Sequence, residues 1–149
     1  MRKTMTGITN PTEEYFKDGT WGWDGTQWRK LGLLLGYYDR LAGRTVKDNA
    51  TAGENTVDSP SVPAGEVWVV QVITGIDSNT AVTKIRLVLT TGSVSIALKE
   101  DVPPAANRWL PWTGEVVLKE GDKIQAVFYG CNAGDYLVLG WWGYKMRVS

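Results

Sequence analysis

A chain of 149 residues with 16 Lys plus Arg against 16 Asp plus Glu suits one domain, or one domain and an extension. It has no charge excess to draw it to nucleic acid. Histidine is absent and Cys131 is the single cysteine, which removes the commonest general base, the commonest zinc ligand and any intrachain disulfide.

The N-terminus carries two basic residues, Arg2 and Lys3, with no apolar run behind them, so it does not read as a signal peptide. No segment approaches the ~20 apolar residues of a membrane helix. Residues 1–19 are polar and interrupted by Asn10-Pro11, which disfavours a helix across that bond. They read as an extended arm that orders only against something else. Next comes Trp21-Gly-Trp-Asp-Gly-Thr-Gln-Trp28. Asp24-Gly25 is a two-residue hairpin signal, placing Trp23 and Thr26 beside the turn and Trp21 and Trp28 one pair further out. A ribbon so short is marginal alone, and Trp21, Trp23 and Trp28 need a main domain or a neighbouring subunit to cover them.

Residues 31–43 fit one helical face through Leu31, Leu34, Leu35, Tyr38 and Leu41. Gly32 and Gly36 each cost a helix about 1 kcal/mol, so an extended reading is preferred and the helix stays open. Residues 44–64 have a linker composition with one strand at Asn55–Ser59. The division is therefore residues 1–60 as arm, ribbon and linker, and 61–149 as the main domain.

From Gly65 the pattern is regular. Glu66–Ile76, Ala81–Leu89, Ser93–Lys99 and Arg108–Trp112 read as strands, followed by three more between Val116 and Met146 joined by turns at Glu120–Asp122 and Asn132–Asp135. Short strands at this spacing indicate an all-β, antiparallel sandwich or barrel. Two strands are apolar on both faces. In 66–76, alternation sets Trp68, Val70, Val72 and Ile76 against Val67, Val69 and Ile73. In the last strand it sets Leu137, Leu139 and Trp141 against Val138, Trp142 and Tyr144. An ordinary antiparallel sheet leaves one face to water, so either a loop covers the outer face of a central strand or an oligomer buries it. The second is preferred, which makes one of the last two sets core and the other an oligomer contact.

Chemistry is hard to find. Asp77, Asp101, Asp122 and Asp135 all fall at turns, where Asp bonds the backbone, and nothing in the spacing pairs any two of them as a glycosidase requires. Cys131 has no histidine to activate it and reads as a small buried residue. No enzyme, metal, cofactor or membrane partner is expected. The count of eight Trp and six Tyr points instead to half-wet surfaces such as interfaces and sugar sites. Trp109, Trp112, Trp141 and Trp142 are candidates for a stacking platform. Trp141 and Trp142 are adjacent on a strand and so point oppositely, which leaves Trp109 and Trp112 as the glycan candidates.

Trp23-Asp-Gly-Thr-Gln-Trp28 resembles the W-[DN]-G-T-x-W elements of tailed-bacteriophage virion proteins. Val62-Pro-Ala-Gly65 leading into a strand, and Leu118-Lys-Glu-Gly-Asp-Lys-Ile124 leading into Ala126–Tyr129, are similar to jelly-roll domains of phage appendages. The second of these also resembles the trimeric jelly rolls of the tumour-necrosis-factor and C1q type. The resemblance implies a virion structural protein, made in the host cytoplasm, with a jelly-roll body that is a homo-oligomer, most simply a trimer. Its N-terminal segment would attach to the major capsid protein or to neck or tail proteins. The long shaft of a receptor-binding fibre is missing, so a capsid decoration or adaptor subunit fits better. The alternative is a carbohydrate-binding or host-recognition module.

Overall fold

A computed structural model describes residues 21–23, 28–30 and 37–147. The expected arm, residues 1–19, and residues 31–36 lie outside the described residues. The chain divides into two compact units, Met1–Tyr38 and Asp39–Ser149. In the first, β1 (Trp21–Trp23) and β2 (Trp28–Lys30) form an antiparallel ribbon. Its register pairs Trp23 with Trp28 and Trp21 with Lys30. The expected two-residue turn would have paired Trp23 with Thr26; Trp23 pairs with Trp28 instead, and residues 24–27 lie outside the described residues.

The second unit is all-β, and no helix occurs among the described residues. Its strands are β3 (Tyr37–Lys47), β4 (Gly53–Asp58), β5 (Glu66–Asp77), β6 (Lys84–Thr91), β7 (Val94–Asp101), β8 (Leu110–Leu118), β9 (Lys123–Cys131) and β10 (Leu137–Arg147). They form two four-stranded antiparallel sheets, ordered β3-β10-β5-β8 and β4-β9-β6-β7. Residues 37–43, open between helix and strand in the sequence, are strand. The stretch expected as linker, residues 44–64, holds the end of β3 and all of β4, where a strand was expected at Asn55–Ser59; β3 and β4 are each an edge strand of one sheet. The strands expected at Arg108–Trp112 and at Val116 are one, β8.

Except at the β6–β7 hairpin, consecutive strands lie in different sheets. The connections therefore gather at two ends. Residues 48–52, 78–83, 102–109 and 132–136 share one end, and 59–65, 92–93 and 119–122 the other. Loop-to-loop hydrogen bonds follow this division. At the first end the Ala50 amide donates to Asp135 O (3.1 Å), Ser78 to Tyr136 O (3.0 Å) and Asn107 to Asp77 O (2.8 Å). At the second, Val62 donates to Asp122 O (2.8 Å) and Gly121 to Val62 O (3.0 Å).

Between the sheets lies one core in which Phe128, Ile73, Ile85, Leu87, Leu118 and Leu139 are fully buried. Strict alternation misassigned part of β5. A register shift between Val70 and Val72, seen against β8 and matched on β10 between Trp142 and Gly143, inverts the parity of the β5 residues beyond it. Ile73 thus joins Trp68 and Val70 in the core, and Val72 and Ile76 turn outward with Val69. A β-bulge does this because its extra residue breaks the period of two. Gly143 sits at the irregularity, where an added Cβ would lie 2.0 Å from the Val69 carbonyl oxygen; only a residue without a side chain fits.

Candidate interaction surface

Registers and burial together assign the faces of β10. Leu137, Leu139 and Trp141 pair with Asp77, Gly75 and Ile73 and belong to the core. Trp141 is 8 % exposed, packs under Gly43 of β3, and leaves its buried indole N–H without an acceptor. Its neighbour Trp142 is 47 % exposed, on the opposite face. The set Val138, Trp142 and Tyr144 lies on the opposite face, pairing with Ile76, Val72 and Val69; of these six, Trp142 is exposed, Val72 and Tyr144 are half-buried, and Val138, Ile76 and Val69 are buried.

The outer face of the sheet β3-β10-β5-β8 is accordingly apolar across three strands. Val69, Val72 and Ile76 come from β5, Val138, Trp142, Tyr144 and Met146 from β10, and Val117, paired with Val69, from β8. Val117 is 62 % exposed. Sequence reasoning missed Val117 and Met146. The signal was present in the doubled apolar run Val116-Val117, but only strand pairing sets Val117 beside Val69.

The other sheet turns a different face to water. Its outward residues include Lys84, Arg86 and Thr90 of β6, opposite Tyr129, Val127 and Lys123 of β9. Glu100 of β7 pairs with Arg86 across the ladder, bonds the Arg86 Nε, and lies 3.2 Å from Lys84 Nζ. The Arg86 hydrogen bond, then that of Lys84, holds the Glu100 carboxyl below its ordinary value. Lys84 Nζ also stands 4.4 Å from the Tyr129 ring centroid, within cation–π range. The exposed apolar residues of this sheet, Val94 and Ile96, lie on the edge strand β7, paired with Thr91 and Leu89.

The two glycan candidates do not make one platform. Trp109 is 52 % exposed in the loop before β8, whereas Trp112 pairs with Ile73, is partly buried and packs against the core. Of Trp21, Trp23 and Trp28 only the strand pairing is described.

The turn carboxylates behave as their positions suggest. Asp122 Oδ2 accepts from the Lys119 amide (3.0 Å), Asp135 Oδ2 from Asn132 (2.7 Å), Asp77 Oδ1 from Asn79 and Thr80 (2.9 Å each) and Asp101 Oδ1 from Val102 (2.8 Å). One expectation fails. Asp77 and Asp135, 58 residues apart in sequence, are brought together, because both sit at the end where four connections gather.

No helix among the described residues is long and apolar enough to cross a membrane. Comparison with known proteins finds no matching family, no matching curated relative and no matching solved structure.

Proposed function

We propose that this protein is a non-enzymatic structural subunit that assembles through the apolar outer face of the sheet β3-β10-β5-β8. The observation that carries this reading is the contrast between the two sheets. One exposes Trp142 and Val117 beside half-buried Val72, Tyr144 and Met146, with Val69, Ile76 and Val138 already buried, while the other presents paired charges. Apolar area removed from water contributes about 25 cal/mol per Å², so a face of this kind drives association once ~800 Å² per partner is covered. The occupant is a further copy of the same chain, in a closed ring, most simply a trimer.

The strand orders β3-β10-β5-β8 and β4-β9-β6-β7 support a jelly roll, in which eight strands are divided between two sheets and the chain passes repeatedly from one to the other. Together with the Trp23–Trp28 and Leu118–Ile124 resemblances, they support a tailed-phage virion protein, a capsid decoration or neck or tail adaptor. The N-terminal segment would hold the particle and the sandwich would hold its copies. The partners are then the major capsid protein or neck or tail proteins, and the location is the virion.

The test is the mass of the protein in solution by light scattering, with Trp142→Glu beside it. A trimer that the substitution reduces to folded monomer supports the reading, and a wild-type monomer at micromolar concentration ends it. A second reading, a carbohydrate-binding or host-recognition module, draws on the exposure of Trp109. Quenching of Trp fluorescence by host-surface glycan, lost in Trp109→Ala, would favour it.

A further inference from the structure

At the end of the sandwich where four connections gather, three side chains with ligating atoms converge. Asp77 closes β5, Cys131 closes β9, and Asp135 lies in the turn before β10. One ligating atom from each lies within 4.8 Å of the other two, and all three residues are buried. Asp77 is 2 % exposed. Its Oδ1 is held by two turn amides, but its Oδ2 is buried without a hydrogen-bond partner. A buried, unpartnered carboxyl oxygen is costly, and a second carboxylate beside it adds repulsion unless a proton or a cation lies between them.

We propose that Asp77, Cys131 and Asp135 form a buried site for a thiophilic divalent cation, with Zn²⁺ the ion whose chemistry fits best. Ca²⁺ requires six or more oxygen ligands and Mg²⁺ a near-octahedral set with several waters; two carboxylates and a thiol supply neither. Zn²⁺ accepts thiolate and carboxylate together. A tetrahedral site holds its donor atoms ~3.5 Å apart, so an inward movement of about 1 Å closes this set around an ion. The supports are already placed. Thr80 Oγ1 donates to Asp135 Oδ1 (2.9 Å) and accepts from Asn132 Nδ2 (3.0 Å). Asn55, buried near this cluster, is fixed by bonds to Thr51.

Binding forms bonds from the metal to sulfur and to both carboxylates, with the protons these ligands carry released to solvent, and ties the ends of β5 and β9 to the turn before β10.

The experiment uses the full chain stripped with EDTA. Zn²⁺ should bind at one ion per chain with release of protons, read by calorimetry in buffers of different ionisation heat, and should raise the unfolding temperature. Co²⁺ should give a thiolate-to-metal charge-transfer band that is absent in Cys131→Ser. Asp135→Asn should weaken Zn²⁺ binding at least about tenfold, whereas Asp101→Asn, at an exposed turn, should bind as wild type. Absence of the cobalt band together with an unfolding temperature indifferent to Zn²⁺ in the wild-type protein would overturn the proposal and leave a proton as the occupant. Binding undiminished in both Cys131→Ser and Asp135→Asn would overturn it equally, by placing the ion elsewhere. The wild-type cobalt spectrum decides the matter even if a variant fails to fold.

Discussion

The two sheets contribute inward-facing residues to the same core but meet the outside differently. On β6 and β9 the outward positions carry Lys84, Arg86 and Lys123, tied to Glu100 and Asp58 by ion pairs, and Tyr129, whose ring lies by Lys84. On β5 and β10 the positions facing away from the core carry Val69, Val72, Ile76, Val138, Trp142 and Tyr144, of which Trp142 is exposed and Val69, Ile76 and Val138 are buried. Inward-facing positions therefore say little about which sheet is which, since both must be apolar to bury. The outward positions separate a sheet finished for water from one finished for contact. The difference also shows in how each is held. Ion pairs between exposed side chains contribute little individually, so the charged face is decoration that resists association rather than a source of stability.

The largest expected effect falls on what the sheets share. Phe128→Ala should cost about 3–5 kcal/mol in denaturant unfolding, because its ring is fully buried in the common core; a loss below about 1 kcal/mol would mean that the sheets do not pack as one. Next is the irregularity that turns Val72 and Ile76 outward. Gly143→Ala forces a Cβ against the Val69 carbonyl and should cost about 3 kcal/mol, with weakened oligomers as the second readout.

The contact face itself comes third. Trp142→Glu should weaken self-association by about 2 kcal/mol or more, as for an interface hot spot, with the unfolding of the isolated subunit little changed. The same substitution strategy on the charged sheet is the counter-test. Arg86→Ala should leave both oligomer and unfolding temperature as they were, while the Glu100 carboxyl moves back up toward its ordinary value by NMR titration. Dissociation in Arg86→Ala would reverse the assignment of the two faces.

A smaller effect concerns acidity in metal-free protein. The Asp77 carboxyl is raised in the folded state, chiefly by burial, and it faces Asp135 and Cys131, with Lys47 nearby in charge range of Cys131. A raised folded value means that stability from this group is full below the unfolded value of 3.8 and declines as pH rises through the folded value. Asp77→Asn imitates the protonated form. In EDTA it should remove that decline, so that at neutral pH the variant unfolds no earlier than wild type. A marked loss of stability there would show that the carboxylate, not the acid, is the form the loops hold. Separately, removal of residues 1–36 should leave the sandwich folded, since β3 begins at Tyr37; a longer deletion would take the edge strand from its sheet.

The sequence alone determined the all-β class, most strand positions from Glu66 onward, and the opposition of Trp141 to Trp142. Each of these is local: alternation with a period of two, Gly and Asp at turns, and adjacent residues pointing apart. It offered extended structure over 31–43 and a strand at Asn55–Ser59, but not that 37–47 and 53–58 are edge strands of the two sheets, because edge strands are polar on their open side and read like linker. Nor did it show the inverted parity in β5, since one bulged residue leaves composition unchanged while exchanging the faces beyond it. Above all it could not choose between the two apolar sets of β10. Leu137, Leu139 and Trp141 became core only because β5 and β10 are neighbours in one sheet and the second sheet covers one side of them. The convergence of Asp77, Cys131 and Asp135 has the same origin. Their chain positions show three turn or strand-end residues, and only the gathering of connections at one end of the sandwich puts their oxygen and sulfur atoms together.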